Sequence, residues 1–551
     1  MAAGIQLSQN TAELERHLRG IEAALRAGDM ARAIRLAGEA AGRGFEHPNL
    51  LTLAAYDSIN RGDDRAALAL AERARALSPR NPDVLNAAGI CYSRLGRHRE
   101  ALAAFDAALR QQPGASHIRF RKACAHEDLS ELGKARVEFE RVLSAEPANA
   151  EAMAKLANLA ALRGDVVSAR DFGSRALRHD PRQAGAVLSL AMADIEEQKF
   201  ADAAARLRPL MAQAGLSPVN RSIASSLLGD ALDGLGQFRD AFAAYAAAKA
   251  MLRAYYKPVY EAEGVETAHA RVARLAAHFS AADAARWRAN RDEPYVSPVE
   301  THVFLVGFPR SGTTLLEVVL DSHPDIGSME ERDCLTDAIE DFLVPPDGLE
   351  RLALADTGAL SRHRDAYWAR AAEFGVRPAG KVFVDKLPLN SILLCLVAKI
   401  FPRAKILFAL RDPRDVVLSC FRRRFGMTAQ MYEFTSLESA ARYYDAVMSL
   451  SALYREKLAL ETFELRYEGL VSDFDGTIGG VCGFLGLERH EDMAAFARRA
   501  AARNIDTPSN AQIARGLFGH GVGQWRRYAD ELGPVMPVLA PHVARFGYGE
   551  D

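Results

Sequence analysis

The chain has few cysteines, no long apolar run and almost no net charge, and each shortage removes a class of protein. Its six cysteines (Cys91, Cys124, Cys334, Cys395, Cys420 and Cys482) are scattered over 551 residues and form no C-x-x-C pair. That argues against a disulfide framework and a thiolate zinc site, and predicts reduced, mostly buried thiols in a cytoplasmic protein. No stretch of about 18 uninterrupted apolar residues occurs, so no membrane span is expected. The opening segment MAAGIQLSQNTAELERHLRG has no basic region followed by an apolar core, so no signal peptide is expected. A net charge of −2 gives no global field to draw the protein to nucleic acid or to a membrane. With 25% charged and 49% hydrophobic residues the composition is that of a folded protein, and 551 residues are too many for one core.

The first half is periodic. Gly28, Gly62, Gly96, Ser130, Gly164 and Gln198 stand 34 residues apart, and five residues after each comes Ala33, Ala67, Ala101, Ala135, Ala169 and Ala203. Pro79, Pro113, Pro147 and Pro181 keep the same period, and a seventh unit with Gly236 and Ala241 is displaced by four residues. Small residues let paired helices approach, the glycine permits the turn between them, and proline ends the second helix. The period is that of tetratricopeptide repeats. It predicts an all-helical superhelix with a concave groove over 14–255, about seven repeats, followed by a helical linker over 256–300.

From residue 301 the pattern changes to alternating strands and helices. Strands are expected at 302–307, 381–385, 405–410 and 462–467, with helices at 313–321, 390–401, 414–424 and 474–485. The alternation predicts a parallel sheet covered by helices, with ligands at the carboxyl ends of its strands. The richest segment is VFLVGFPRSGTTLLEVVL: an apolar strand, a loop bounded by Gly307 and Gly312, then a helix. Such a loop aims backbone N–H groups and a helix dipole at a phosphate. The G-x-x-x-x-G spacing matches that of an NTP-binding loop, but Thr313 stands where that loop needs lysine, and the cation is Arg310.

Four segments together resemble the PAPS-dependent sulfotransferases, in particular the tyrosylprotein sulfotransferases and bacterial proteins that fuse such a domain to tetratricopeptide repeats. They are PRSGTT after the first strand with HPD and EE downstream, FVDKLP at 383–388, the strand KILFAL with RDPRDVVLS at 405–419, and LRYEGL at 465–470. The resemblance covers 301–551 and implies a P-loop-like α/β domain that moves a sulfuryl group from PAPS to a hydroxyl and releases PAP, without a metal. Arg310, Ser311, Gly312, Thr313 and Thr314 would hold the 5′-phosphosulfate. Arg411 and Ser419 would bind the 3′-phosphate, with Tyr467 and Arg515 also at the nucleotide. Lys386 would lie beside the leaving oxygen. Glu331, 21 residues after Arg310, is the expected base. Its other reading is a helix cap near Arg332. His323 is read as a turn cap, and the run Arg422-Arg423-Arg424 as a solvated face. The chain departs from the resembled pattern at Gly521 and Gly523, where relatives have serine.

Three functions are weighed: a sulfotransferase; an NTPase or kinase, opposed by Thr313; and a repeat scaffold with an inert second domain. The acceptor stays open among tyrosine, sugar and lipid hydroxyls, a protein or peptide held by the repeat groove being one reading.

Overall fold

The computed structural model describes residues 2–289, with side chains from Ala12, and residues 293–376, 381–497 and 521–549. The chain divides into two compact units, 1–193 and 194–551.

The described residues of the first unit are helical hairpins from Ala2–Arg26 to Val166–His179. The periodic positions behave as their chemistry requires. Ala33, Ala67, Ala101, Ala135 and Ala169 are all fully buried. Gly28, Gly62, Gly96 and Gly164 take φ of 73°, 79°, 73° and 74°, and Ser130 is held at 57° in the same turn. That region suits glycine and strains a residue with a Cβ. Gly89 is small for a different reason: a Cβ there would lie 2.5 Å from Phe105 Cε1.

The second unit begins with more helices. Ala203 and Ala241 are again fully buried, and Gln198 and Gly236 repeat the left-handed turn at φ 60° and 76°. Helices Pro218–Gly234 and Phe238–Tyr260 form a hairpin whose Gly229 accepts Tyr245 as Gly89 accepts Phe105. Tyr245 of this hairpin, and Val272, Leu275 and Phe279 of helix Ala268–Ala281, share one core with the sheet.

Among the described residues five parallel strands follow: β1 (Thr301–Gly307), β2 (Ile326–Glu330), β3 (Val382–Lys386), β4 (Lys405–Leu410) and β5 (Glu461–Arg466), in the spatial order β2-β3-β1-β4-β5. Successive residues of β1 alternate between two cores. Phe304 and Val306 face the one shared with the hairpin, whereas Val303 and Leu305 face the helices Thr313–Leu320 and Phe474–Leu485. This two-sided burial is why the strand is apolar throughout.

β2 has no counterpart in the sequence reading. Its residues, IGSME, carry glycine and serine, and only Ile326 and Met329 are buried, so no apolar pattern announces it. Parallel pairing with β3 creates it, with Glu330 opposite Lys386.

Candidate active site

The loop between β1 and helix Thr313–Leu320 turns at two left-handed residues, Arg310 at φ 74° and Gly312 at φ 91°. Gly312 is the helix N-cap, and a Cβ there would fall 2.6 Å from Tyr467 Cδ2. The first N–H groups of this helix have no partner within it, so they and the dipole form an anion-binding end. Ser311 and Thr313 are buried beside it, and Thr314 is half-buried.

β4 delivers the second cation. Arg411, one residue past the strand, donates from Nη1 to the Arg310 carbonyl at 3.0 Å and from Nη2 to the Gly521 carbonyl. Its guanidinium lies 4.8 Å from the centre of the Tyr467 ring. Arg310 Nε donates to Ser419 Oγ at 3.1 Å, from the loop to helix Pro413–Arg422. Burial and the neighbouring Arg423 pull the Arg310 pKa down, to about 9. Arg310, Arg411, Ser419 and Tyr467 thus meet in one place. Among the described residues the buried Nε of Arg411 has no hydrogen-bond partner, which suits an anion-binding role.

The third group sits at the ends of β2 and β3. Lys386 is fully buried, and its Nζ lies 2.8 Å from Glu331 Oε1, 3.3 Å from Glu330 Oε1 and 3.4 Å from Glu317 Oε2. Burial alone would lower its pKa, but Glu317, Glu331 and Glu330 outweigh burial and raise it. The ammonium therefore holds its proton and serves as a fixed positive charge. Glu331 takes a left-handed φ of 44° and donates its backbone N–H to the Lys386 carbonyl at 2.7 Å. A non-glycine residue in that region stores strain, and such outliers cluster where function needs a fixed geometry. The next helix begins only at Thr336, so Glu331 caps none. Glu317, buried on the apolar helix after the loop, was not singled out from sequence; an acid inside LLEVVL is the signal that marks it.

His323 is a turn residue. Its Nδ1 accepts the Asp325 N–H at 3.0 Å and its Nε2 meets the Glu488 carbonyl oxygen at 2.9 Å. The Arg422–Arg424 run is not a solvated face: all three residues are half-buried, and Arg422 pairs with Asp233 at 2.9 Å. Arg515 lies outside the described residues.

The two glycine departures have local causes. A Cβ at Gly521 would lie 2.8 Å from the Tyr467 hydroxyl. Gly523 sits at φ 71° and donates its N–H to Asp415 Oδ2 at 2.7 Å. In this loop conformation serine at either position requires a shift.

Behind Lys386 lies a buried polar chain: His302 Nε2 meets the Tyr367 hydroxyl at 3.1 Å, and Tyr367 donates to Asp385 Oδ2 at 2.8 Å. Burial pushes the Asp385 carboxyl up to about 7 from 3.8; Asp333 adds to this, while the Tyr367 hydrogen bond and Lys386 oppose it. A carboxyl with a raised folded pKa stabilises the fold below its unfolded value, and that stability is lost as pH rises to the folded value. From pH 4 to pH 7 the loss amounts to about 4 kcal/mol at 1.36 kcal/mol per unit. Asp385→Asn, which keeps an acceptor for Tyr367, is expected to raise the melting temperature at pH 8 clearly more than at pH 5. An equal effect at both values would show that Asp385 does not titrate in this window.

The fold and site define a class: a parallel α/β domain whose first strand runs through a glycine-bounded loop into a helix, preceded by helical repeats. Comparison with known proteins makes this specific. Residues 302–492 match the model of the sulfotransferase family, and residues 59–126 and 120–184 match two tetratricopeptide-repeat models. The chain therefore joins tetratricopeptide repeats to a sulfotransferase-family domain. It is 25% identical over 254 residues to an uncharacterized protein of Aquifex aeolicus (strain VF5), covering 44% of this chain and 32% of that one. Protein-tyrosine sulfotransferase 1 of Danio rerio is 26% identical over 275 residues, 47% of this chain and 73% of the relative. Nodulation protein NoeE of Sinorhizobium fredii (strain NBRC 101917 / NGR234) is 29% identical over 221 residues, 35% of this chain and 52% of the relative. Among the described residues no helix is long and apolar enough to cross a membrane.

Proposed function

We propose that the protein is a PAPS-dependent sulfotransferase that transfers the sulfuryl group to a hydroxyl by in-line displacement. The observation that carries this reading is the pairing of a fully buried ammonium, Lys386, with the carboxylate of Glu331 at 2.8 Å, at the strand ends next to the loop. Bound PAPS would supply the activated sulfuryl group, and PAP would be the leaving product. Ser311, Gly312, Thr313 and Thr314, through backbone N–H groups and hydroxyls, and the Arg310 guanidinium would hold the 5′ end. Arg411 and Ser419 would take the 3′-phosphate, beside Tyr467. Glu331 accepts the acceptor's proton as its oxygen attacks sulfur, and Lys386 meets the charge that builds on the departing oxygen. A charge that grows only in the transition state is where a fixed cation accelerates the reaction most.

The acceptor is a hydroxyl compound. A protein or peptide is favoured because tetratricopeptide repeats bind protein segments and Danio rerio protein-tyrosine sulfotransferase 1 is among the relatives. A scaffold with an inert second domain is the rival, and glycine at 521 and 523 is what favours it.

Calorimetric titration with PAP, with Mg-ATP for comparison, tests the reading. Tight PAP binding, weak ATP binding and loss of PAP binding in Arg411→Ala are the expected results. A folded protein with no affinity for PAP would overturn the proposal and leave the scaffold.

A further inference from the structure

The helix that carries Ser419 ends against the repeat-type hairpin 218–260, and the contacts there are ionic and buried. Arg422 Nη2 lies 2.9 Å from Asp233 Oδ2 and donates to the Tyr245 hydroxyl at 3.2 Å. The same guanidinium lies 5.0 Å from the Tyr245 ring centre and 5.2 Å from that of Tyr528. Tyr528, the last residue of the short helix Gln524–Tyr528 that Gly523 caps, donates its hydroxyl to Asp233. Lys249, 6% exposed, donates from Nζ at 2.6 Å to the carbonyl of Arg423, the residue that caps helix Pro413–Arg422.

A helix C-terminus presents unpaired carbonyls and a partial negative charge, so a buried cation there fixes the last turn. A buried ion pair adds direction that apolar packing lacks. Here one hairpin applies both devices to the turn that places Ser419 3.1 Å from Arg310. Its Asp233 also accepts from Tyr528, on the segment whose Gly521 touches Arg411.

We propose that Asp233 and Lys249, on the repeat-type hairpin, are positioning residues of the nucleotide site, fixing the end of helix 413–422 and the 521–528 segment. Neither is a catalytic residue. The proposal rests on the sulfotransferase reading. It implies that the hairpin is part of the nucleotide-binding machinery and not merely the end of a binding module.

The test is PAP titration of the full chain bearing Asp233→Asn, Lys249→Met or Tyr528→Phe, well below each variant's melting temperature. PAP affinity is expected to fall on the order of ten-fold in the first two and less in the third, with Asp233→Glu recovering part of the loss. Asp240→Asn, an exposed acid on the same hairpin, should bind PAP as the wild type does. A purely structural contact would move the melting temperature and leave PAP affinity intact; that result in Asp233→Asn and Lys249→Met overturns the proposal. Should those two fail to fold, wild-type affinity in Tyr528→Phe, which loses only a hydroxyl, overturns it. Absence of PAP binding by the folded wild type overturns the sulfotransferase reading and this proposal together, whereas normal binding by the variants overturns this proposal alone.

Discussion

Glu331→Gln is expected to lower turnover by about 10²–10⁴-fold while PAP binding persists. The amide keeps the shape of the side chain and its contact with Lys386, but it does not accept a proton. A hydroxyl nucleophile needs that acceptor, since even a phenol, with pKa about 10, is almost wholly protonated at neutral pH. The backbone at Glu331 is fixed: its φ of 44° and its N–H bond to the Lys386 carbonyl hold the carboxylate at the ammonium. Single-turnover sulfuryl transfer to a tyrosine peptide, beside a PAP titration, measures both quantities. Unchanged turnover would remove Glu331 as base. His323 is a poor replacement, because both its ring nitrogens are engaged in the turn.

Lys386→Met is expected to cost about 10²–10³-fold in turnover, the loss typical of one preorganised group aimed at a developing charge. It should also destabilise the fold by about 3–5 kcal/mol, because removing the cation leaves Glu317, Glu330 and Glu331 without it. Denaturant melts and single-turnover rates, taken where the variant is folded, separate the two effects. Because the three carboxylates raise the ammonium's pKa, the wild-type rate should not fall through deprotonation of Lys386 in mildly alkaline buffer. Retained turnover in a folded Lys386→Met variant would remove the lysine from the chemistry.

The parts of this architecture that repeat or stay apolar were legible in the sequence. The 34-residue alanine period marks fully buried positions, and β4 falls on the residues read from its apolar run. The strand–loop–helix around Gly307 and Gly312 is equally plain, because few backbones need glycine at that spacing. What escaped depends on partners distant in the chain. β2 is a strand because β3 pairs with it, not because IGSME prefers one. Arg422, Arg423 and Arg424 read as solvated because a charge run carries no sign of a distant partner such as Asp233, almost two hundred residues before Arg422. The hairpin 218–260 read as the last repeat, which its own periodicity supports; only the shared core places it with the sheet.

The strand order β2-β3-β1-β4-β5 has a consequence for biosynthesis. The repeats make contacts within and between adjacent hairpins, so they can fold progressively, each on its predecessor, as they leave the ribosome. The sheet cannot. Its central strand β1 needs β3 and β4, β4 needs β5 some fifty residues later, and Arg411 needs the carbonyl of Gly521. Long-range parallel pairing of this kind is slow. During translation the hairpin 218–260 therefore emerges well before the sheet with which it shares a core, and that part of the core stays incomplete over the interval.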